Sequence, residues 1–363
     1  MVTVKIEDFG SMTDPMSKQP KTVKVITLEN AHQMRVQVLT LGVNIASVRL
    51  PDKTGKSDEL SLSFDNLQGY LDTQPAYIGA TMGRVANRVA NGRFKLNGQE
   101  IQVTKNFKDK YQLHGGFIGF DSVIWDVVET LANGVVLKHV SPDGHEGYPG
   151  EVTCTITCTL NDNNEYRMQV EATTNKTTCV NVTNHAYFNL AGHNSGKEGL
   201  GQHLVQINAD EIVDTDLEQI PTGKFVKVEN TLYDLRQPTK MSDRLPQFAQ
   251  LPIKGYDNCY CVKLDGDKVT RIARVEHPES GRWLEMYTNQ PGVQFYTSNN
   301  LPDVENGAPA MVGKGGAKYF KHGAFCLETQ KYPDSMNHEN FPSIFLNPGE
   351  KYYHDVVYKF GNQ

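Results

Sequence analysis

Helical periodicity sustained over ten residues or more is missing from this 363-residue chain. That excludes helical bundles and the strand–helix repeats of a doubly wound sheet. No apolar run approaches the length of a membrane-spanning helix, and Met1 to Pro20 is polar, with Glu7, Asp8 and Asp14, lacking the apolar core of a signal peptide. A charge excess is missing too. Thirty-six basic against 42 acidic residues give a net charge of -6, which argues against a nucleic-acid binder, and no Lys/Arg run suggests a membrane-surface patch. The six cysteines (154, 158, 179, 259, 261 and 326) show no C-x2-C zinc spacing and are too sparse for a disulfide framework in so long a chain. They read as free thiols in a reducing compartment, so the expected location is the cytoplasm, and the sequons at Asn175 and Asn181 read as chance. Internal repeats and Pro- or Ser-rich linkers are also lacking. One domain over residues 21–363 is expected, preceded by a loosely ordered leader over 1–20.

What the chain does have is alternation with a period of two. Val23, Val25 and Thr27 alternate with Lys24 and Ile26, and Met34, Val36 and Val38 alternate with Arg35 and Gln37. From Val152 to Leu160 the apolar residues and cysteines take one face and four threonines the other, and Arg167 to Ala172 should pair back across Asn161–Asn164. Asn97-Gly98 and Asn133-Gly134 sit between strand-like runs as hairpin turns. A single helical turn is expected near Asp65 to Tyr70. Strand-like runs separated by Gly, Pro, Asn and Asp continue to Phe360, and predict an all-β fold, a large antiparallel β-sandwich. Pro302 to Gly316 reads as a long loop.

Several catalytic signatures fail. There is no G-x-S-x-G elbow, and the Gly192–Lys197 stretch has one residue too few for a phosphate loop. No second histidine stands at metalloprotease spacing from His145 or His338, and no dinucleotide fingerprint is present. What remains is a set of polar clusters on or beside predicted strands. Thr183 to Gly192 packs His185 among asparagines and aromatics, and a positioned histidine exchanges protons readily near neutral pH; alone, such a histidine is more often structural. Glu328 follows the apolar run Ala324 to Leu327, and a carboxylate held there would have a raised pKa and could act as a base; alone, it reads as a solvent-facing strand end. Gly83 to Arg88 offers an amide and a guanidinium to vicinal hydroxyls, or else forms a polar loop with a surface ion pair. His114 precedes a flexible glycine turn, Asp257 stands beside aromatics or caps a turn, and Gln294 lies in an aromatic strand or at a core edge.

Taken together, Asn-Arg at 87–88, Leu-His-Gly-Gly at 113–116, Thr-Asn-His-x-Tyr-Phe-Asn-Leu at 183–190, Gln-Pro-Gly-Val-Gln at 290–294 and Leu-Glu-Thr-Gln-x-x-Pro-Asp at 327–334 resemble the aldose 1-epimerases, or galactose mutarotases. The resemblance runs from about Val23 to Phe360. It implies a sandwich of the galactose-mutarotase type with an open cleft for a free hexose, galactose or glucose. It also implies that Glu328 is the general base, His185 the general acid, and Asn87, Arg88, His114, Asp257 and Gln294 the hydroxyl-binding residues, with no cofactor and no metal. A small aldose is then the expected partner, with neither nucleic acid nor membrane, and a monomer the expected state, a dimer being the alternative. The competing readings are a hexose-6-phosphate 1-epimerase, which needs further basic residues, and a non-catalytic sugar-binding module. Three features depart from the family pattern: Asn258 after Asp257, where many relatives carry histidine, a longer Pro302–Gly316 segment, and the extra leader.

Overall fold

The alternation at Val152–Leu160 shows how this chain builds layers. Val152, Cys154, Ile156, Cys158 and Leu160 are fully buried while the threonines between them are half-buried, because successive side chains leave opposite faces of a strand. The computed structural model describes residues 1–73, 76–266 and 268–363. Val152–Leu160 lies within a nine-stranded sheet. In spatial order its strands are Asp126–Leu131, Gly134–Ser141, Val152–Leu160, Glu165–Thr174, Tyr352–Asn362, Arg282–Thr288, Thr270–His277, Leu204–Ile207 and Thr239–Lys240. Every neighbouring pair is antiparallel.

Two five-stranded sheets accompany it. The first runs Thr3–Thr13, Pro20–Glu29, Arg35–Leu39, Asn44–Pro51, Ser57–Glu59, and the other Pro221–Lys227, Ala209–Thr215, Asp257–Val262, Gly292–Tyr296, Cys326–Gln330. One apolar cluster joins all three, drawing Ile26, Val36 and Ile45 from the first, Ile156, Met168 and Tyr358 from the nine-stranded sheet, and Phe295 and Leu327 from the third. This is the expected antiparallel sandwich. Asn97-Gly98, both at positive φ, closes the hairpin of Arg93–Leu96 with Gln99–Gln102. Among the described residues the longest helix is the seven-residue Gly196–Gln202. The helical turn expected near Asp65 appears as Leu67–Asp72, capped by Asn66 Oδ1, which accepts from Gly69 N at 3.1 Å.

The N-terminal expectation is corrected. Residues 1–20 are not a loose leader, because Thr3–Thr13 is an eleven-residue strand paired along Pro20–Glu29. Val2, Val4 and Ile6 alternate with Thr3, Lys5 and Glu7 and pack on the core with one face. A bulge between Asp8 and Gly10 then turns the strand so that Phe9 meets Tyr70 edge-on at 6.1 Å. The charges on its outer face masked a short but regular strand signal. All six cysteines are free thiols.

Candidate active site

Glu328 lies mid-strand, opposite Gln294, and Gln294 lies opposite Cys259 on the next strand. Since residues two apart share a face, Asp257, Tyr296 and Cys326 form the adjacent rank on that same face. The alternate residues Tyr260, Val293, Phe295 and Leu327 point into the core and lock the register. Gln294 Nε2 donates to Asp257 Oδ1 at 2.7 Å.

His185 follows the short strand Thr183–Asn184, which pairs with Thr81–Met82. Its own amide donates to Ala80 O at 2.8 Å, and its carbonyl accepts from Gly79 N at 3.0 Å. Three residues on, Phe188 exchanges two backbone bonds with Phe325, at 2.8 and 2.9 Å. Phe325 leads directly into the strand of Glu328, and this splice brings the two distant motifs together. His185 Nε2 stands 3.6 Å from Glu328 Oε1. Its ring stacks on Tyr187 at 4.9 Å and meets Tyr296 edge-on at 5.9 Å.

Asn87, Arg88 and His114 come from loops. Arg88–Val89 pairs with Gln112–Leu113, so Arg88 lies opposite Leu113. His114 N then donates to Asn87 O at 2.9 Å, and Asn87 N donates to His114 Nδ1 at 3.2 Å. Both residues hold the left-handed backbone region, at φ 62 and 53. The glycine turn expected to be flexible is tightly packed instead. A Cβ on Gly115, whose φ is 93, would sit 2.0 Å from Gly83 O, and one on Gly116 would sit 2.1 Å from Glu146 Oε2. Arg84, the other guanidinium of its cluster, is consumed structurally, donating to the carbonyls of Ser141, Pro142, Pro149 and Gly150.

Asn87, Arg88, His114, His185, Asp257, Gln294 and Glu328 all line one cavity of about 850 Å³. A second cavity of about 700 Å³, near Lys197, Leu245 and Phe320, contains none of them. Pro302, Ala308, Pro309 and Met311 of the long loop wall the first cavity, so that segment runs along the cleft. Asn258 does not orient the Asp257 carboxylate, because its side chain accepts from the Asp257 backbone amide at 3.3 Å. Gln294 and Gln219 hold the carboxylate instead.

Burial sets the electrostatics. It pushes Glu328 well above the usual carboxylate range, Asp257 raises it further, and Arg88 opposes both. Burial pulls His185 down to about 4, and pulls His114 well below the ordinary imidazole range, helped by His185 and Arg88. Each group is thus pressed toward its neutral form. Arg88 Nε, Gln294 Oε1 and Glu328 Oε2 are buried without a protein partner among the described residues. One unused donor and two unused acceptors around one cavity suit a polyhydroxylated guest.

The ligand atoms of His114, His185 and Glu328 lie within 4.8 Å of one another, a donor set of the kind that holds a divalent ion. The tautomer argues otherwise. His114 Nδ1 accepts a backbone N–H, so a neutral ring keeps its proton on Nε2 and offers the cavity a donor rather than a lone pair.

The profile of the family described as aldose 1-epimerase matches residues 24–359. The chain belongs to the aldose 1-epimerase family. It is 44% identical to a galactose mutarotase of Bos taurus across 99% of both chains, and 33% identical to an aldose 1-epimerase of Escherichia coli across 96% of this chain and 98% of that one. Among solved structures it superposes on an aldose epimerase homologue from C. elegans with a TM-score of 0.83 at 28% identity, covering 93% of this chain and 98% of the other. It also superposes on a galactose 1-epimerase from Lactobacillus acidophilus with a TM-score of 0.81 at 25% identity, covering 99% of both. For this aldose 1-epimerase family member, residue motifs alone left three cleft features unassigned. Tyr187 stood inside a quoted motif without a role, Tyr296 lay two residues beyond another, and Gln219 stood in a turn with no motif signal at all.

Proposed function

We propose that this protein is an aldose 1-epimerase that interconverts the α and β anomers of free aldohexoses, galactose and glucose among them. The observation that carries the reading is the His185–Glu328 pair, 3.6 Å apart at the wall of a cavity with unused hydrogen-bonding atoms. Ring opening removes the proton from O1 and adds one to the ring oxygen. Both oxygens are bonded to C1, so a base and an acid that serve them have to be neighbours, as these two are. Glu328 takes the O1 proton, His185 gives one to the ring oxygen, the C1–C2 bond rotates, and closure on the other face of the aldehyde reverses both transfers. Positioned groups of this kind contribute ~10²–10⁴-fold each.

Burial on its own leaves the pair's proton on Glu328. A sugar that donates O1–H to Glu328 Oε2 and accepts from the imidazole favours the charge-separated form, with carboxylate as base and imidazolium as acid. The net charge of the pair is the same in both forms, so neither strands a lone charge in the protein. Asn87, Arg88, His114, Asp257 and Gln294 bind the remaining hydroxyls, and charged partners among them bind more strongly than neutral ones.

A hexose 6-phosphate is a poorer substrate on these grounds, since Arg84 is tied to backbone carbonyls. On this reading the enzyme is a cytoplasmic monomer, the location supported by six free thiols that suit a reducing compartment. Polarimetry is the test. The rotation of freshly dissolved α-galactose should relax faster with protein, and galactose should outperform glucose 6-phosphate. Saturable galactose binding without faster relaxation would reduce the protein to a sugar-binding module.

A further inference from the structure

Arg88 and Asp257 carry opposite charges in the same cleft, yet no ion pair joins them. Gln219 lies between. Its Oε1 accepts from Arg88 Nη2 at 2.7 Å, and its Nε2 donates to Asp257 Oδ2. The amide cannot be turned round, because Arg88 only donates and an ionised Asp257 only accepts. We infer that Gln219 is a positioning residue for substrate binding, an uncharged spacer that holds Arg88 and Asp257 apart and aims both at the sugar.

The local chain is built for this task. Gln219 sits in the turn between Ala209–Thr215 and Pro221–Lys227, at φ 63. Asp216 braces that turn, its Oδ1 accepting from Glu218 N at 2.8 Å and Ile220 N at 3.0 Å, while its carbonyl accepts from Gln219 N at 3.0 Å. Lys110 of the opposite rim pairs with Glu218 and ties the turn down over the cleft. A left-handed backbone is costly for glutamine and persists where its surroundings enforce it.

The consequence concerns the sugar. Arg88 Nη1 is engaged with Asn87 Oδ1 at 3.3 Å and Nη2 with Gln219, which leaves Nε as the guanidinium nitrogen without a protein partner among the described residues. The two amides of Gln219 and Gln294 hold Asp257 by one oxygen each. Without the spacer, the two charges would close on each other and withdraw from the hydroxyls they serve. The inference rests on the anomerase reading of the cleft, and it separates binding from chemistry: Gln219 touches neither His185 nor Glu328.

The test compares Gln219→Ala and the similarly sized Gln219→Met with the wild type, reading KM and kcat by anomer-exchange NMR and the dissociation constant for galactose by titration. Thr222→Ala, which removes the bond to Asp214 on the exposed side of the same hairpin, controls for loosening of the turn. The expected result is a rise of fivefold or more in KM and Kd for both Gln219 variants, kcat within threefold, and Thr222→Ala unchanged. A rise below fivefold in the folded variants, or an equal rise in Thr222→Ala, overturns the inference. A wild type that binds galactose without exchanging anomers removes the activity and leaves Gln219 to be judged by Kd, whereas a wild type that does neither overturns both.

Discussion

The two halves of the cleft are built by different means. Glu328, Gln294 and Asp257 stand on adjacent strands of one sheet, where ladder register and a period of two decide which way each side chain points. Asn87, Arg88, His114 and Gln219 stand on short ladders and turns, where left-handed backbone at Asn87, His114 and Gln219 and the close approach of Gly115 to Gly83 do the aiming. His185 joins the halves, since its segment is bonded to the loop side at Gly79 and Ala80 and to the strand side at Phe325. Proton transfer thus sits on or beside the rigid sheet, and much of the hydroxyl recognition sits on the loops. Chemistry and recognition should therefore be separable by mutation.

Four substitutions test that separation. The largest effect is expected from Glu328→Gln, with kcat falling ~10²–10⁴-fold and little change in KM. It should also raise the melting temperature at pH 7.5, for a reason of sign. The folded pKa of Glu328 lies above the ordinary 4.5, so its stability contribution is present below that value and is lost as pH rises through the folded pKa. A neutral amide escapes that loss, and a scan at pH 4 should show a smaller gain than one at pH 7.5. Gly115→Ala comes next. Its Cβ would press on Gly83 O, so a cost of ~3 kcal/mol or more in denaturant unfolding is expected, with KM rising as His114 shifts. Unchanged unfolding would mean the loop half is softer than its geometry implies.

Arg88→Lys is expected to raise KM roughly tenfold with kcat nearly intact, since an ammonium cannot span Asn87 and Gln219 as the guanidinium does. A fall in kcat as large as that of Glu328→Gln would dissolve the division between the halves. The smallest effect is expected from Asn258→His, because Gln294 and Gln219 hold the Asp257 carboxylate. KM for galactose and for glucose should each move less than ~threefold.

The strand half was more legible in the sequence than the loop half, and the reason is physical. Alternation at Val152–Leu160 reports burial directly and the sandwich follows from such runs, whereas Gly292–Tyr296 and Cys326–Gln330 are buried along their whole length and were legible as apolar or aromatic runs. The meeting of His185 with Glu328 came from resemblance of motifs, because no pattern in either stretch encodes the Phe188–Phe325 splice. Gln219 left no trace, since a glutamine in a polar turn looks the same whether it faces solvent or bridges two charges. The strand Thr3–Thr13 was hidden for the opposite reason. Its apolar positions were few and its outer charges many, and its stability comes from pairing with Pro20–Glu29 rather than from its own composition.

Should the account be right, His185 and Glu328 act as one unit, and removing the second after the first should cost nothing more. Galactose anomer-exchange rates measured by NMR for His185→Asn, Glu328→Gln and the double variant read this directly. Each single variant is expected to lose at least ~10²-fold in kcat, with the double variant no slower than the slower single. Contradiction would come from a single variant that exchanges anomers at the wild-type rate, or from a double variant whose loss is the product of the two.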